Sequence, residues 1–217
     1  MTSKILIQTI SISTALVASG GIATLSLFDV PILQSQSAQH SLPSIRWLFS
    51  RGSHIFPQAA LLSSAGFAYL AYAVQPVAQR GLLSLLKVGN NPSIVNGYLF
   101  AAALAMSIGP FTSFVMIPTN FELIKMNAQR GGSRSELSAA KGGGGDMHRS
   151  AEDSVNGLGE VNQFTDLSGP QNKTIKATSK DDDEKVRNLL EKFKLMNWGR
   201  ALLLGSGGMV GLLCALS

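Results

Sequence analysis

Apolar residues in this chain gather into four long runs rather than alternating with polar ones. The first extends from Ile5 to about Phe28 and the second from Ile55 to about Val74. The third extends from about Ser93 to Ile117, and the fourth from Ala201 to Ser217. Each approaches or exceeds the roughly 20 residues a helix needs to cross the hydrocarbon core of a bilayer. None carries a charge in its middle. Runs of this length without period-two alternation predict helices and argue against strands. The expected architecture is an all-α membrane protein, a four-helix transmembrane bundle. The fourth run is the shortest: about 17 residues rising 1.5 Å each cover roughly 25 Å, which puts Asn197 to Arg200 near one interface. The first run has a second reading. Lys4, an apolar core and "ASGG" fit a cleaved secretory signal, although an apolar length of about 24 residues favours a retained helix.

Between the third and fourth runs the pattern changes. From Ala128 to Lys185 the chain is rich in Gly, Ser, Asn, Asp and Lys and has one aromatic residue, Phe164. Such a composition buries too little apolar surface to offset its ordering entropy, so a disordered loop is expected there. The organisation read from the pattern is therefore helices one to three over 1–127, a polar linker over 128–185, and an amphipathic lead-in with helix four over 186–217. The lead-in helix is expected to resume near Glu184, with Leu189, Leu190 and Phe193 on an interfacial turn. "GGGG" in the linker lacks the strand and the Lys-Ser/Thr of a phosphate loop. "DDDEK" reads as a solvated charge run.

Charge sharpens this division. Charged residues are 14% of the chain, against about 25% in soluble domains. Only five of the basic residues and one acidic residue, Asp29, precede Asn120. The net +5 is thus no single basic field, and nucleic acid is not an expected partner. Cys214 is the one cysteine, which excludes a disulfide within the chain. With four spans, the side holding Arg46, Arg51, Lys125, Arg130 and the basic run before Trp198 would face the cytosol by the positive-inside rule. Asn172-Lys-Thr174 is a glycosylation sequon that matters only if the linker is lumenal.

Candidate chemistry lies at the ends of the apolar runs. His54 opens the second run beside Arg51 and Trp47, as a polar-loop histidine or as a general base at a cavity mouth. No histidine lies mid-span, which disfavours haem, and no His-based metal spacing occurs. In "IPTNFELIKMN", Pro118 is expected to end or kink the third helix. Thr119 and Glu122 then read as a capping box, which would place Asn120 beside unpaired backbone N–H groups suited to an oxyanion. The alternative is that Asn120 satisfies the broken helix. Asn197 and Arg200 share a helix face with Leu204, Gly207 and Gly211, a small-residue stripe that admits another helix. This turns Arg200 toward the bundle as a functional candidate; the alternative is a side chain that snorkels to the headgroups beside Trp198.

Three stretches together resemble the DUF1772 family of small membrane proteins that includes the fungal anthrone oxygenases. They are "SGGIATLSLFDVPIL" with "RWLFSRGSHIFP", then "MIPTNFELIKMN", then "FKLMNWGRALL". The combination of Pro-x-Asn and Asn-x-x-Arg within four apolar runs carries the resemblance. Phe193 stands where the family often has Trp, and the long linker looks inserted. The resemblance implies a multi-pass endomembrane oxygenase that converts an anthrone-type aromatic polyketide to an anthraquinone. Molecular oxygen is the co-substrate and neither metal nor flavin is needed. Arg200 would stabilise the anthrolate oxygen, Asn120 and Asn197 would orient the ring, and His54 would act as base. Trp47, Arg51 and Pro118 would contact the substrate. The other implied partner is the bilayer, and homo-oligomerisation stays open. A non-catalytic membrane scaffold that uses the linker as its contact is the rival reading. A small transporter has less support, because no inverted repeat or mid-membrane ion site is visible.

Overall fold

The computed structural model describes residues 3–77, 80–142 and 151–217. "GGGG" beyond Gly142, together with His148, lies outside them. All regular structure among the described residues is helical. In order it comprises α1 (Ser3–Thr24), α2 (Val30–Gln34), α3 (Ala38–Ala73), α4 (Leu82–Leu85) and α5 (Ser93–Phe111). The chain continues with α6 (Ile117–Gln129), α7 (Glu136–Ala140), α8 (Ala151–Asn156) and α9 (Lys180–Leu216). Two π-helical segments, Leu25–Asp29 and Thr112–Met116, join α1 to α2 and α5 to α6 without a break.

Three helical stretches are long and apolar enough to cross a membrane: Ser3–Gln34, Ser93–Gln129 and Lys180–Leu216. The second expected span does form a helix, within α3, but it is not among the three. Gln58, Ser63, Ser64, Tyr69 and Tyr72 dilute its apolar residues.

The chain divides into two compact units. The first comprises Met1–Ala23, Phe56–Ser113 and Trp198–Ser217. It is the apolar one, and its core joins Ile12, Ala15, Phe67, Leu70, Tyr98, Ala101, Ala105, Ile108, Ala201 and Leu204. Small residues set the helix spacing here. A Cβ on Gly207 would stand 3.0 Å from the Ala101 carbonyl oxygen, and one on Gly208 2.8 Å from Leu16. Gly211 faces the Phe67 ring. Gly207 and Gly211 of the stripe expected to admit neighbouring helices therefore touch α5 and α3, and Gly208 beside them touches α1. Several polar groups inside this unit find partners, as burial favours. Gln8 Nε2 donates to the Tyr98 hydroxyl at 2.8 Å, Ser64 Oγ to Ala102 O at 3.0 Å and Ser19 Oγ to Ala201 O at 2.7 Å.

The second unit, Thr24–Ile55 and Phe114–Asn197, contains the polar stretch expected to be a disordered linker. Over its described residues the structure differs from that expectation. Ser133, Arg134, Ser135, Ser138, Asp166 and Thr174 are buried. The Glu160 carboxylate, fully buried, pairs with Arg134 at 2.9 Å and with Arg46 of α3 at 3.5 Å. Ser135 caps α7 by accepting from Ser138 N, and its hydroxyl also donates to Asp166. Backbone bonds complete the attachment, with Thr174 N donating to Gln39 O and Lys176 N to Arg130 O, both at 2.9 Å. Composition could not reveal this, because the ordering comes from charge pairing and hydrogen bonds rather than apolar area.

The acidic run at the start of α9 also does more than meet solvent. Asp182 N donates to Ser179 Oγ at 3.1 Å, and Ser179 N returns a bond to the Asp182 carboxylate at 2.8 Å. This reciprocal pair is a capping box. It starts the helix at Lys180, a few residues earlier than expected.

Candidate functional site

Helix α6 corrects the sequence reading of "IPTN". Pro118 lies at the first turn of α6, and Met116 before it is already helical, with φ −93° and ψ −35°. The helix therefore runs on through the proline, and Thr119 caps nothing. Glu122 instead pairs with Lys185 at 2.6 Å on the exposed surface. The π-helical turn just upstream supplies the reason. Proline lacks an N–H for the regular ladder, and a wider turn before it absorbs the mismatch without ending the helix. The same arrangement precedes Pro31, so each π segment is followed two residues later by a proline. Asn120 accordingly does not sit beside orphan N–H groups at a helix start. Its Oδ1 is nevertheless buried and accepts no hydrogen bond among the described residues.

His54 is the last but one residue of α3 within the second unit. Its imidazole stacks on Phe164, with ring centroids 4.3 Å apart and planes tilted by 33°. Its Nε2 is buried without a hydrogen-bond partner. Ser63, Asn96, Asn127 and Ser133 also hold one buried unpaired atom each. His54 and Asn120 stand apart from these because the sequence independently marked both.

Trp47 and Arg51 are engaged with the polar segment. Trp47 Nε1 donates to Ser168 O at 2.9 Å and Arg51 Nη2 to the same oxygen at 3.1 Å. The Arg51 guanidinium lies 5.3 Å from the Trp47 ring centroid. Residues 160–168 thus form a strap along the first half of α3. Gln163 is bound by Ser50, and Asp166 receives bonds from Ser135 and Ser168. Burial alone would raise the Asp166 carboxyl. The hydrogen bonds from Ser135 and Ser168, with Arg51 nearby, outweigh burial and hold it below the usual carboxylate range. Pro118 and Asn172 are both exposed.

Asn197 is fully buried, and its Nδ2 donates to Phe193 O at 3.0 Å one turn back along α9. Phe193 in turn packs edge-on against Phe49, 5.1 Å between centroids. Arg200 belongs to the first unit and is 7% exposed, so it is buried among protein groups rather than reaching outward. Its guanidinium lies 5.6 Å from the Phe56 ring centroid, within cation–π range. Glycines admit these rings. A Cβ on Gly199 would stand 3.1 Å from Phe111, and one on Gly21 3.3 Å from Phe56. "NWGR" therefore needs its glycine for the ring that lies against the helix beside Arg200.

Of the four expected catalytic residues, His54, Asn120 and Asn197 fall in the second unit and Arg200 in the first. Phe56 and Phe164 were not expected as site residues. The only sequence hint was that Phe164 is the sole aromatic of the polar stretch. Among the described residues no three His, Cys, Asp or Glu side chains cluster as a metal would need. A surface groove lined by Asp181, Glu184, Lys185, Asn188, Leu189 and Lys192 involves none of the expected site residues.

Comparison with known proteins adds an independent line. Residues 46–153 match the family model described as anthrone oxygenase. The chain is 32% identical over 129 residues to a protein named anthrone oxygenase encC from Aspergillus fumigatus, a match that covers 57% of this chain and 63% of that one. It is 29% identical over 128 residues to anthrone oxygenase tpcL from the same organism, covering 58% and 71%. The chain thus spans less than two thirds of the first relative. No solved structure matches it.

Proposed function

We propose that the chain acts as the anthrone oxygenases it resembles are named, oxidising an anthrone-type aromatic polyketide to the anthraquinone with molecular oxygen; the match of residues 46–153 to that family model and the two relatives so named support this reading. Its setting is a membrane, and we propose that the α3 segment after Phe56 crosses it together with the three more apolar helices, in an endomembrane.

The chemistry asks little of a cofactor, since the substrate supplies the electrons. Loss of a proton from the methylene carbon leaves an electron-rich anthrolate. One electron passes to oxygen, and superoxide and the substrate radical join at that carbon. Protonation gives a hydroperoxide, and loss of water across its C–H and O–OH bonds leaves the carbonyl. The balance is one anthrone and one oxygen to one quinone and one water.

The protein must take the first proton, stabilise the oxyanion and exclude water. In this reading His54 takes the proton, Arg200 stabilises the anthrolate oxygen, and Asn120 and Asn197 orient carbonyl and phenol groups. Pro118 and the Trp47–Arg51 pair border the substrate. The observation that carries the reading is that His54 Nε2 and Asn120 Oδ1 are buried without partners. Such atoms cost stability unless a ligand completes them. The apolar unit excludes water, which strengthens charge interactions within it. Membranes containing the protein should form quinone from an anthrone under oxygen faster than membranes without it. Equal rates would end the proposal.

A scaffold reading keeps one specific support, the use of Trp47 and Arg51 to hold the strap. It requires that deleting 131–180 abolish function while Arg200→Ala is tolerated.

A further inference from the structure

The strap between Glu160 and Ser168 is fastened at both ends and carries an exposed ring in its middle. At one end Glu160 is gripped by Arg46 and Arg134, and Gln163 accepts from Ser50 and Arg134, each at 3.3 Å. At the other end Ser168 O accepts from Trp47 and Arg51, while Asp166 is bonded by Ser135 and Ser168. Asn162 shapes the turn between them. Its Oδ1 accepts from Phe164 N at 2.9 Å and its backbone oxygen from Asp166 N at 3.0 Å.

Phe164 is 68% exposed. A phenylalanine left so open contributes little to folding through burial, and the polar anchors on either side hold the strap without it. Its ring nonetheless lies against the His54 imidazole, centroids 4.3 Å apart, whose Nε2 is buried and unpaired. A flat apolar ring stacked on an imidazole that keeps an unpaired nitrogen is a platform for a planar partner that can also offer a hydrogen bond.

The geometry points to a subsite for a planar, phenol-bearing aromatic ring at the His54–Phe164 pair, with Phe164 the specificity-determining ring. This rests on the proposed oxygenase reading and adds the residue that recognises the substrate's plane. The polar strap is then part of the site. It delivers Phe164 to a histidine that lies more than a hundred residues earlier in the chain.

The test uses the full chain in lipid nanodiscs and a hydroxyanthraquinone as probe. Its binding is read by quenching of tryptophan fluorescence, and anthrone oxidation is followed in parallel. Phe164→Ala and Phe164→Leu should each raise the probe Kd and the anthrone KM roughly three- to tenfold, the scale of one aromatic contact. The larger part of the kinetic change should lie in KM. Phe164→Tyr should restore wild-type values. In a Trp198→Phe background, Trp47 emission should be the same with and without Phe164→Ala, since the strap's anchors remain. Wild-type binding by the Ala and Leu variants would overturn the subsite, as would full rescue by Leu. A shifted Trp47 emission would also overturn it, because the ring would then serve to dock the strap. If the probe binds through Phe164 but no anthrone is oxidised, the oxygenase reading fails and the subsite stands. If the wild-type protein does not bind the probe, the subsite fails.

Discussion

His54 carries the most exposed claim in the chain, because a buried Nε2 without a partner is a cost the fold tolerates for some reason. If that reason is proton abstraction, His54→Ala should lower the protein-dependent oxidation rate by about 100-fold or more, the usual worth of a positioned general base. Protein yield and thermal stability should stay near wild type, which fluorescence-detected chromatography would check. An unchanged rate would remove His54 from the mechanism. Arg200 presents the complementary case. It is buried beside Phe56, and Gly199 and Gly21 leave room for the flanking rings. That environment is consistent with a side chain that faces protein, the reading its phase with Gly207 and Gly211 suggested. For Asn120 the sequence located the residue but not its setting, because the π turn upstream of Pro118 has no signature in the hydrophobic pattern.

Two elements show how local chemistry overrides composition. The first is α9, whose glycines let it lie against α5. Gly207→Val would push a branched side chain against the Ala101 carbonyl, where even a Cβ would stand at 3.0 Å. Overpacking of this kind costs about 1–3 kcal/mol, so the variant should unfold at a visibly lower temperature in detergent. Unchanged stability would mean that this contact is not made. The second is the strap. Its Asp166 carboxyl is held low chiefly by hydrogen bonds from Ser135 and Ser168, against the opposing effect of burial. A depressed carboxyl stabilises the fold above its unfolded pKa, near about 3.9, and that contribution is lost as pH falls through the lower folded value. The strap should therefore hold from pH 7 to about 5 and release below about pH 4. Trp47 emission in a Trp198→Phe protein would report it through the Ser168 contact. In Asp166→Asn the acid step should shrink, and an identical step would assign it to other carboxylates.

Across the whole molecule, the sequence made the helices legible wherever apolar length alone decides the outcome. The first, third and fourth runs lie in helices with the composition of membrane spans, and the second, in α3, is helical but diluted by Gln58 and the serines. The polar stretch was illegible for a physical reason. Its order comes from Arg46 and Arg134 sharing the buried Glu160 carboxylate, and those partners are far apart in the chain and invisible to any count of apolar residues. Asn197, Arg200 and the Asn120 Oδ1 atom, marked by the Asn-x-x-Arg and Pro-x-Asn elements, are buried, yet the contact of Phe164 with His54 could be found only once the strap was seen on α3. The proposed oxidation of an anthrone through an oxyanion held by Arg200 has one direct test. The direct measurement is quinone formation from an anthrone under oxygen by membranes with equal amounts of wild-type and Arg200→Ala protein, corrected for unaided oxidation. Loss of one oxyanion donor should lower the protein-dependent rate roughly 100-fold or more. An Arg200→Ala protein that turns over at the wild-type rate would contradict it.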